Sequence, residues 1–157
     1  GPPRALIAQI LFSCYTSFMD KKDSLPVIPC GVAIIHRGRQ FLISQRRSND
    51  RFGSFWEFPG GKKNDDESFE DCVVRETMEE LGISVAVESK FMELKKKHNE
   101  KIIWLNFFLC SHVSGEPTPI ECQKVQWVDV KELPDYRFPP ANEVVIDRLI
   151  SEHATNV

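Results

Sequence analysis

The sequence GGKKNDDESFEDCVVRETMEELGI, residues 60–83, sets a pair of glycines beside a segment dense in carboxylates. Glu76, Glu79 and Glu80 are spaced i, i+3 and i+4, so on a helix their side chains project from one face. Three like charges so close together repel one another unless a cation lies between them. Oxygen ligands without histidine or thiolate favour a hard divalent ion, Mg²⁺ or Mn²⁺. Taken alone, the three glutamates are also consistent with a solvated acidic helix face.

The same segment carries the signals that begin and end a helix. Ser68 with Asp71 three residues later is typical of a capping box, and Gly82 stands where a C-cap glycine belongs. A mostly apolar stripe at helical spacing runs between these signals and consists of Phe69, Cys72, Val73, Thr77 and Leu81. The pattern therefore predicts a helix that buries one face.

The rest of the chain is dominated by strand-like patterns. They cover residues 28–36, 40–47, 52–61, 83–98, 101–113 and 124–130. The first two runs, and the two on either side of Asn99-Glu100, are predicted to form hairpins. Residues 139–153 predict a C-terminal helix with prolines at its entry and one apolar face, made of Val144, Val145, Leu149 and Ile150. We therefore expect an α/β fold, an α/β/α sandwich with a mixed β-sheet between helices.

Composition limits the classes of function. A chain of 157 residues with 41% apolar and 27% charged residues fits one globular domain. The formal net charge of −3 argues against a broad electrostatic footprint for duplex nucleic acid. Five cysteines without a C-x-x-C pair favour neither a disulfide framework nor a structural zinc site. Reduced thiols and a cytoplasmic location are expected.

Residues 1–27 are expected to be an N-terminal arm, in part derived from a tag, ahead of a domain over residues 28–153. The initial Gly-Pro is typical of a protease scar, and the apolar positions that follow recur at roughly helical spacing. The apolar run is too short and interrupted to span a bilayer, so no membrane partner is expected. A helix of this kind would pack on the domain or on a second copy, which leaves monomer and homodimer both open.

The carboxylate segment follows a longer fixed pattern. Five, seven, two and one residues separate its members, which are Gly61, Glu67, Arg75-Glu76, Glu79-Glu80 and Gly82-Ile83. This pattern resembles the Nudix box, the signature of hydrolases that cleave nucleoside diphosphates linked to another moiety. The one departure is Thr77, where the family usually has an aliphatic residue.

The resemblance implies a role for each charged position. It implies a metal site made of Glu76, Glu79, Glu80 and the carbonyl of Gly60, holding Mg²⁺ with Mn²⁺ as a substitute. Arg75 and Glu67 would orient the helix and its glutamates, which completes the implied catalytic set. Water would attack a phosphorus atom, and one of the glutamates or a carboxylate elsewhere would take its proton. Lys62, beside the box, is either a phosphate ligand or a solvent-facing lysine.

Two further stretches resemble the MutT branch of the family, whose members hydrolyse 8-oxo-dGTP to the monophosphate and pyrophosphate. They are WEFPGGK at residues 56–62 and FPPANEVVIDRL at residues 138–149. The resemblance implies a nucleotide substrate, with Asn142 reading the purine edge, Arg47 near the base and Phe58 stacking on it. The alternatives are a cap of the last helix for Asn142, a surface ion pair for Arg47 and core packing for Phe58.

A further carboxylate, Glu121, precedes Trp127 in a region where MutT-like proteins often carry a glutamate that assists the metals. Glu121 is therefore a candidate metal ligand or general base, and a solvated loop glutamate is the alternative. Gln126 cannot act as a base at neutral pH.

The expected function is a Mg²⁺-dependent nucleoside triphosphate pyrophosphohydrolase that removes 8-oxo-dGTP, or a related nucleotide, from the nucleotide pool. One alternative is a CTP or 5-methyl-dCTP pyrophosphohydrolase, and another is a non-catalytic module that binds oxidised guanine or another nucleotide. The complete set of Arg75, Glu76, Glu79 and Glu80 favours catalysis, because a module that only binds has no need of a full metal cluster.

Overall fold

The central strand of the sheet is β1 (Val27–Arg37), in a computed structural model that describes residues 25–153. It runs parallel to β6 (Lys101–Ser114), with paired positions from Val27 and Ile102 to His36 and Ser111. On its other edge β1 pairs antiparallel with two strands, β2 (Gln40–Gln45) at its end and β4 (Gly60–Lys62) nearer its beginning. This branching brings the glycine pair of residues 60 and 61 beside the middle strand.

In the part of the chain that the structure describes, three more strands belong to the mixed sheet. They are β3 (Trp56–Glu57) and β7 (Lys124–Asp129), which both pair antiparallel with β2, and β5 (Ser84–His98), which pairs antiparallel with β6. The path through the sheet is β3-β2-β1-β6-β5. The predicted long hairpin is confirmed as β5 and β6, which turn at Asn99 and Glu100, both with positive φ.

Within residues 25–153, two helices cover opposite faces of the sheet, each over its own apolar cluster. Helix α1 (Phe69–Leu81) contributes Val73 and Leu81 to one cluster. Helix α2 (Glu143–His153) contributes Val145, Ile146 and Leu149 to the other. Two short 3₁₀ turns, Val130–Asp135 and Pro140–Asn142, lead from β7 to α2. The predicted α/β/α sandwich with a mixed sheet is confirmed.

The signals for α1 are also confirmed. The Ser68 hydroxyl accepts a hydrogen bond from the amide of Asp71 at 3.0 Å, which satisfies a free donor at the helix start. Gly82 ends the helix at φ 69°, in the left-handed region that glycine adopts without steric penalty.

Three details differ from the sequence predictions. The first hairpin pairs only at its tip, because β1 and β2 then separate to admit β4 and β3. Residues 52–61 do not form one extended piece, since a turn precedes the two short strands. The prediction for the buried face of α2 was wrong at Val144, which is 49% exposed, while Ile146 is buried in its place.

The predicted helical arm falls mostly on residues 1–24, outside the described residues, and β1 already begins at Val27. Between residues 25 and 153, no helix combines the length and apolar character that crossing a membrane requires.

Candidate active site

Arg75 on α1 is the centre of the polar network at the site. Its Nε and Nη2 atoms donate to the two carboxylate oxygens of Glu67, at 2.9 and 2.6 Å. Nη1 donates to Glu76 at 3.0 Å and to Glu79 at 3.2 Å, and Nη2 also donates to the Lys62 carbonyl at 3.1 Å. The planar guanidinium thus fixes the loop before the helix against the helix face.

Glu67 is held as an ionised acceptor. Its hydrogen bonds from Arg75, and a further one from the Asn64 amide at 2.8 Å, lower the pKa of this carboxyl to about 2. The same pairing raises the pKa of Arg75 above its usual value. The structure therefore brings Glu67 and Arg75 together, as the resemblance to the Nudix box implies.

Glu80 has a different environment. Its Oε2 atom accepts one hydrogen bond from the Gly60 amide at 3.1 Å. Burial, followed by repulsion from Glu76, raises the pKa of Glu80 to about 8. Burial also raises the pKa of Glu76, although Arg75 opposes that shift. Arg75 therefore does not compensate all the negative charge of the carboxylates at this site.

The two glycines of β4 allow the strand and the helix to approach this closely. A Cβ atom on Gly61 would lie 2.5 Å from the carboxyl carbon of Glu76, and one on Gly60 would lie 2.3 Å from the carbonyl oxygen of Gly31. Any other residue at either position would displace a carboxylate or the backbone of β1.

The donor set fits a hard divalent cation. The carboxylates of Glu76, Glu79 and Glu80 and the nearby carbonyl of Gly60 are all oxygen donors, which Mg²⁺ and Mn²⁺ prefer. Within residues 25–153, no three histidine, cysteine, aspartate or glutamate side chains are grouped closely enough to ligate one ion as they stand. In this arrangement Arg75 binds Glu76 and Glu79, and the Gly60 amide binds Glu80.

A cavity of about 410 Å³ opens beside the glycine pair. Gly60 and Gly61 form one part of its lining, and Phe58 and Asn142 form others. The volume lies within the range of small-ligand pockets. The Nδ2 atom of Asn142 donates to the Pro139 carbonyl at 3.4 Å. The structure thus brings Phe58 and Asn142 to the same cavity as the glycine pair.

Arg47, which the resemblance places near the base, does not line this cavity. Its Nη2 atom donates to the carbonyl of Ile120 at 3.0 Å. The preceding residue, Arg46, lines the cavity instead, and its Nη1 atom donates to Glu57 at 3.0 Å. Burial raises the pKa of Glu57, and Arg46 opposes this shift. Nothing in the sequence distinguishes the two adjacent arginines.

Lys96 is a second cavity residue that the sequence reasoning missed. It lies on β5 and lines the cavity together with Leu105 of β6. Strand alternation could have placed it, since Lys96 is two residues from Leu94, which pairs with Leu105. Lys62, the lysine that was predicted, is exposed and lies outside the lining.

Glu121 lies near the carboxylates of the site although it is exposed. It lines a smaller cavity of about 170 Å³ together with Glu57 and Glu80. Its negative charge contributes to the raised pKa values of Glu76 and Glu80. The loop between β6 and β7 therefore brings a further oxygen donor to the site.

Comparison with known sequences gives one family and several relatives. The NUDIX domain family matches residues 28–149. An 8-oxo-dGTP diphosphatase of Haemophilus influenzae is 35% identical over 135 residues, which cover 85% of this chain and 96% of that protein. A CTP pyrophosphohydrolase of Escherichia coli is 29% identical over 130 residues, which cover 83% and 96%.

Solved structures agree with these relatives. The solution structure of the E. coli ORF135 protein is similar with a TM-score of 0.74 and 29% identity, over 85% of this chain and 95% of that one. The crystal structure of the MutT protein from Methanosarcina mazei Go1 is similar with a TM-score of 0.73 and 27% identity, over 83% and 97%.

Proposed function

The chain belongs to the NUDIX domain family, and from that premise we propose that it hydrolyses 8-oxo-dGTP to the monophosphate and pyrophosphate with Mg²⁺ as its cofactor. Family and relatives make it a pyrophosphohydrolase that depends on a divalent metal. The identities of the metal as Mg²⁺ and of the base as 8-oxoguanine are the parts that we propose. One observation carries it: a cavity lined by Asn142 and Phe58 adjoins the glycine pair that supports the carboxylates of α1.

The proposed metal site consists of Glu76, Glu79, Glu80, the Gly60 carbonyl and Glu121. A bound divalent ion would supply positive charge for the phosphate oxygens on which negative charge develops during hydrolysis. Arg75 keeps Glu76 and Glu79 on the side of the helix that faces the site, and Glu67 holds Arg75 in turn.

We propose that a carboxylate from the cluster of Glu57, Glu80 and Glu121 accepts the proton from the attacking water. These three side chains line one small cavity beside the larger one. Glu121 is the member that is most open to solvent, which suits exchange of a proton with bulk water. Its change to Gln should reduce kcat more than it raises KM.

Base recognition is assigned to the part of the cavity that Asn142 and Phe58 line. The amide of Asn142 carries both a donor and an acceptor and complements the edge of an oxidised guanine. Phe58, which is 5% exposed and packs on Phe138 with ring centroids 5.2 Å apart, offers the base only the small part of its ring that lines the cavity. Lys96 adds positive charge to the same cavity, which suits a nucleotide, whereas the charge of Arg46 is offset by its ion pair with Glu57.

The test is a substrate panel with Mg²⁺, comparing 8-oxo-dGTP, dGTP, dCTP, CTP, 5-methyl-dCTP and ADP-ribose, with pyrophosphate and phosphate measured separately. We expect the highest kcat/KM for 8-oxo-dGTP and release of pyrophosphate.

Glu80→Gln should lower turnover by orders of magnitude. Glu70→Gln should not, because Glu70 is an exposed residue in the first turn of the same helix. Near-normal turnover of Glu80→Gln would remove that residue from the site.

A second candidate is a CTP pyrophosphohydrolase. It is favoured by the similarity to the E. coli CTP pyrophosphohydrolase over 83% of the chain. A preference for cytidine nucleotides in the panel would retain the metal chemistry and reject the role of Asn142. Asn142→Ala separates the two further, because it should erode the preference for oxidised over normal guanine more than it slows hydrolysis.

The proposal includes a cytoplasmic site of action and a monomer or homodimer. The cytoplasmic location rests on the sequence, in which the five cysteines form no C-x-x-C pair. Light scattering of the full chain and of a chain that begins at Met19 tests the role of the arm. An unchanged oligomeric state would argue against a dimer formed through the arm.

A further inference from the structure

The loop between β2 and β3, residues 46–55, holds an aromatic residue in a disfavoured backbone conformation. Phe52 has a φ of 56° and Ser54 a φ of 68°. In this left-handed region the Cβ atom crowds the backbone, so a bulky residue without a local reason to be there is rare. Outliers of this kind cluster at ligand-binding positions, where the surrounding structure enforces them.

Hydrogen bonds on both sides of Phe52 hold the loop in this shape. The Phe55 amide donates to the Phe52 carbonyl at 3.1 Å, and the Ser54 amide donates to the Arg46 carbonyl at 3.1 Å. The Arg46 side chain donates through Nε to the Arg51 carbonyl at 2.9 Å. Since its Nη1 atom also donates to Glu57, Arg46 fixes the loop relative to the cavity wall.

Core packing does not account for the phenylalanine. The side chain of Phe52 is 49% exposed, whereas Phe58 in the same cavity is 5% exposed. Its ring meets only one other ring among the described residues, that of Phe55 at 5.8 Å, and the Arg51 guanidinium lies 5.4 Å from its centroid. The loop therefore holds a large, half-exposed apolar ring in the cavity lining at a backbone position that disfavours it.

We propose that Phe52 is a specificity-determining residue whose ring stacks on the nucleobase of the substrate. The inference rests on the proposed function, because it places a nucleotide in the cavity that Phe52 lines together with Phe58 and Asn142. Stacking on an aromatic side chain tolerates any base, and its strength grows with the apolar area covered. The ring therefore contributes more for a two-ring purine than for a pyrimidine.

The test compares Phe52→Asn with the wild-type chain. Asparagine tolerates a positive φ, so it removes the ring and relieves the backbone at the same time. We expect KM for 8-oxo-dGTP to rise about tenfold with kcat little changed, and KM for CTP to rise less. The midpoint of thermal unfolding should stay the same or increase.

Two further variants serve as controls. Ser54→Asn makes the same kind of backbone change in the same loop, and Ser54 does not line the cavity, so its KM should equal the wild-type value. Phe52→Tyr keeps a ring and should retain most of the affinity. A ring with only a structural role predicts a different result. Phe52→Asn would then lower the midpoint of thermal unfolding and leave the ratio of the KM values for 8-oxo-dGTP and CTP unchanged.

Binding of the monophosphates separates this inference from the proposed function. Calorimetry with 8-oxo-dGMP, dGMP and CMP measures stacking without turnover. If the wild-type chain hydrolyses no nucleotide, the proposed function fails, yet weaker purine binding by Phe52→Asn would still support the role of the ring. Equal affinities for wild type and Phe52→Asn would overturn the inference, whatever the activity.

Discussion

The carboxylate of Glu80 is held by a single backbone amide and faces a second carboxylate, that of Glu76. Because burial and this repulsion raise its pKa to about 8, the folded chain binds the proton of Glu80 more tightly than the unfolded chain does. A raised carboxyl pKa therefore makes the folded protein less stable as the carboxyl group loses its proton. The free energy of unfolding falls as the pH rises from the usual glutamate value of 4.5 towards 8.

Glu80→Gln should therefore stabilise the protein when divalent metal is removed with a chelator. We expect a gain of roughly 2 kcal/mol in the free energy of unfolding at pH 8, after discounting for partial exposure, and almost none at pH 4. Urea denaturation at both pH values measures it, with Glu70→Gln as the matched control. A loss of stability at pH 8 would contradict the electrostatic description of Glu80.

Thr77 is the one departure from the aliphatic pattern, and its environment explains why threonine is accepted. The side chain is fully buried, and its hydroxyl donates to the Val73 carbonyl at 2.8 Å, so no polar atom is stranded. In a regular helix the amide of residue 77 bonds to this carbonyl as well, so the acceptor keeps a partner without the hydroxyl.

Thr77→Val should therefore increase the free energy of unfolding, by at most about 1 kcal/mol. Thr77→Ser, which keeps the hydroxyl and removes a buried methyl group, should lower it by about 1 kcal/mol. Thermal denaturation of the two variants checks the order. If serine were the better tolerated of the two, the hydroxyl would matter more than the packing.

At the scale of elements, α1 was predictable because its signals are local. The Ser68 cap and the Gly82 end depend on neighbouring residues in the sequence, and the Arg75–Glu67 pair was implied by the resemblance to the Nudix box. Which of the two adjacent arginines lines the cavity depends instead on the shape of the loop between β2 and β3. Contacts with Glu57 and with the loop's own backbone determine that shape. The sequence does not reveal these contacts, because the two arginines are identical neighbours.

Strand pairing shows the same limit. Alternation within β1 and β2 predicted the hairpin, but β4 and β3 separate the two strands beyond the tip. On α2 the sequence VVI offers three adjacent apolar residues, and helical spacing alone does not decide whether residue 144 or residue 146 faces the sheet. The sheet decides, and it buries Ile146.

The short strand β4 yields a prediction that separates fold from function. Gly61→Ala places a methyl group against the carboxylate of Glu76, a flexible side chain that can move, so the fold should survive while kcat falls strongly. Gly60→Ala meets the backbone of Gly31 instead, so we expect a loss of several kcal/mol of stability. Circular dichroism melts and turnover of both variants distinguish these effects. Full activity of Gly61→Ala would show that Glu76 tolerates displacement.

For the whole molecule, the two apolar clusters position different halves of the site. One cluster holds α1 and thus the carboxylates, and the other holds α2, which directly follows the 3₁₀ turn that ends at Asn142. Helix α2 is also tied to β5, since the Arg148 guanidinium donates to the Phe91 carbonyl. A loosened cluster should therefore affect only the half of the site that it supports.

A matched pair of leucines tests this division, since Leu81 at the end of α1 and Leu149 on α2 are both fully buried. Changing either to valine removes one methylene and should lower the free energy of unfolding by about 1–2 kcal/mol. Leu149→Val should raise KM for the nucleotide several-fold, because Asn142 loses its support. Leu81→Val should instead lower kcat and increase the metal concentration required, because Glu80 is its neighbour. Kinetics at several metal concentrations separate the two, and equal effects of both variants on KM would mean that the sheet transmits the loosening from one face to the other.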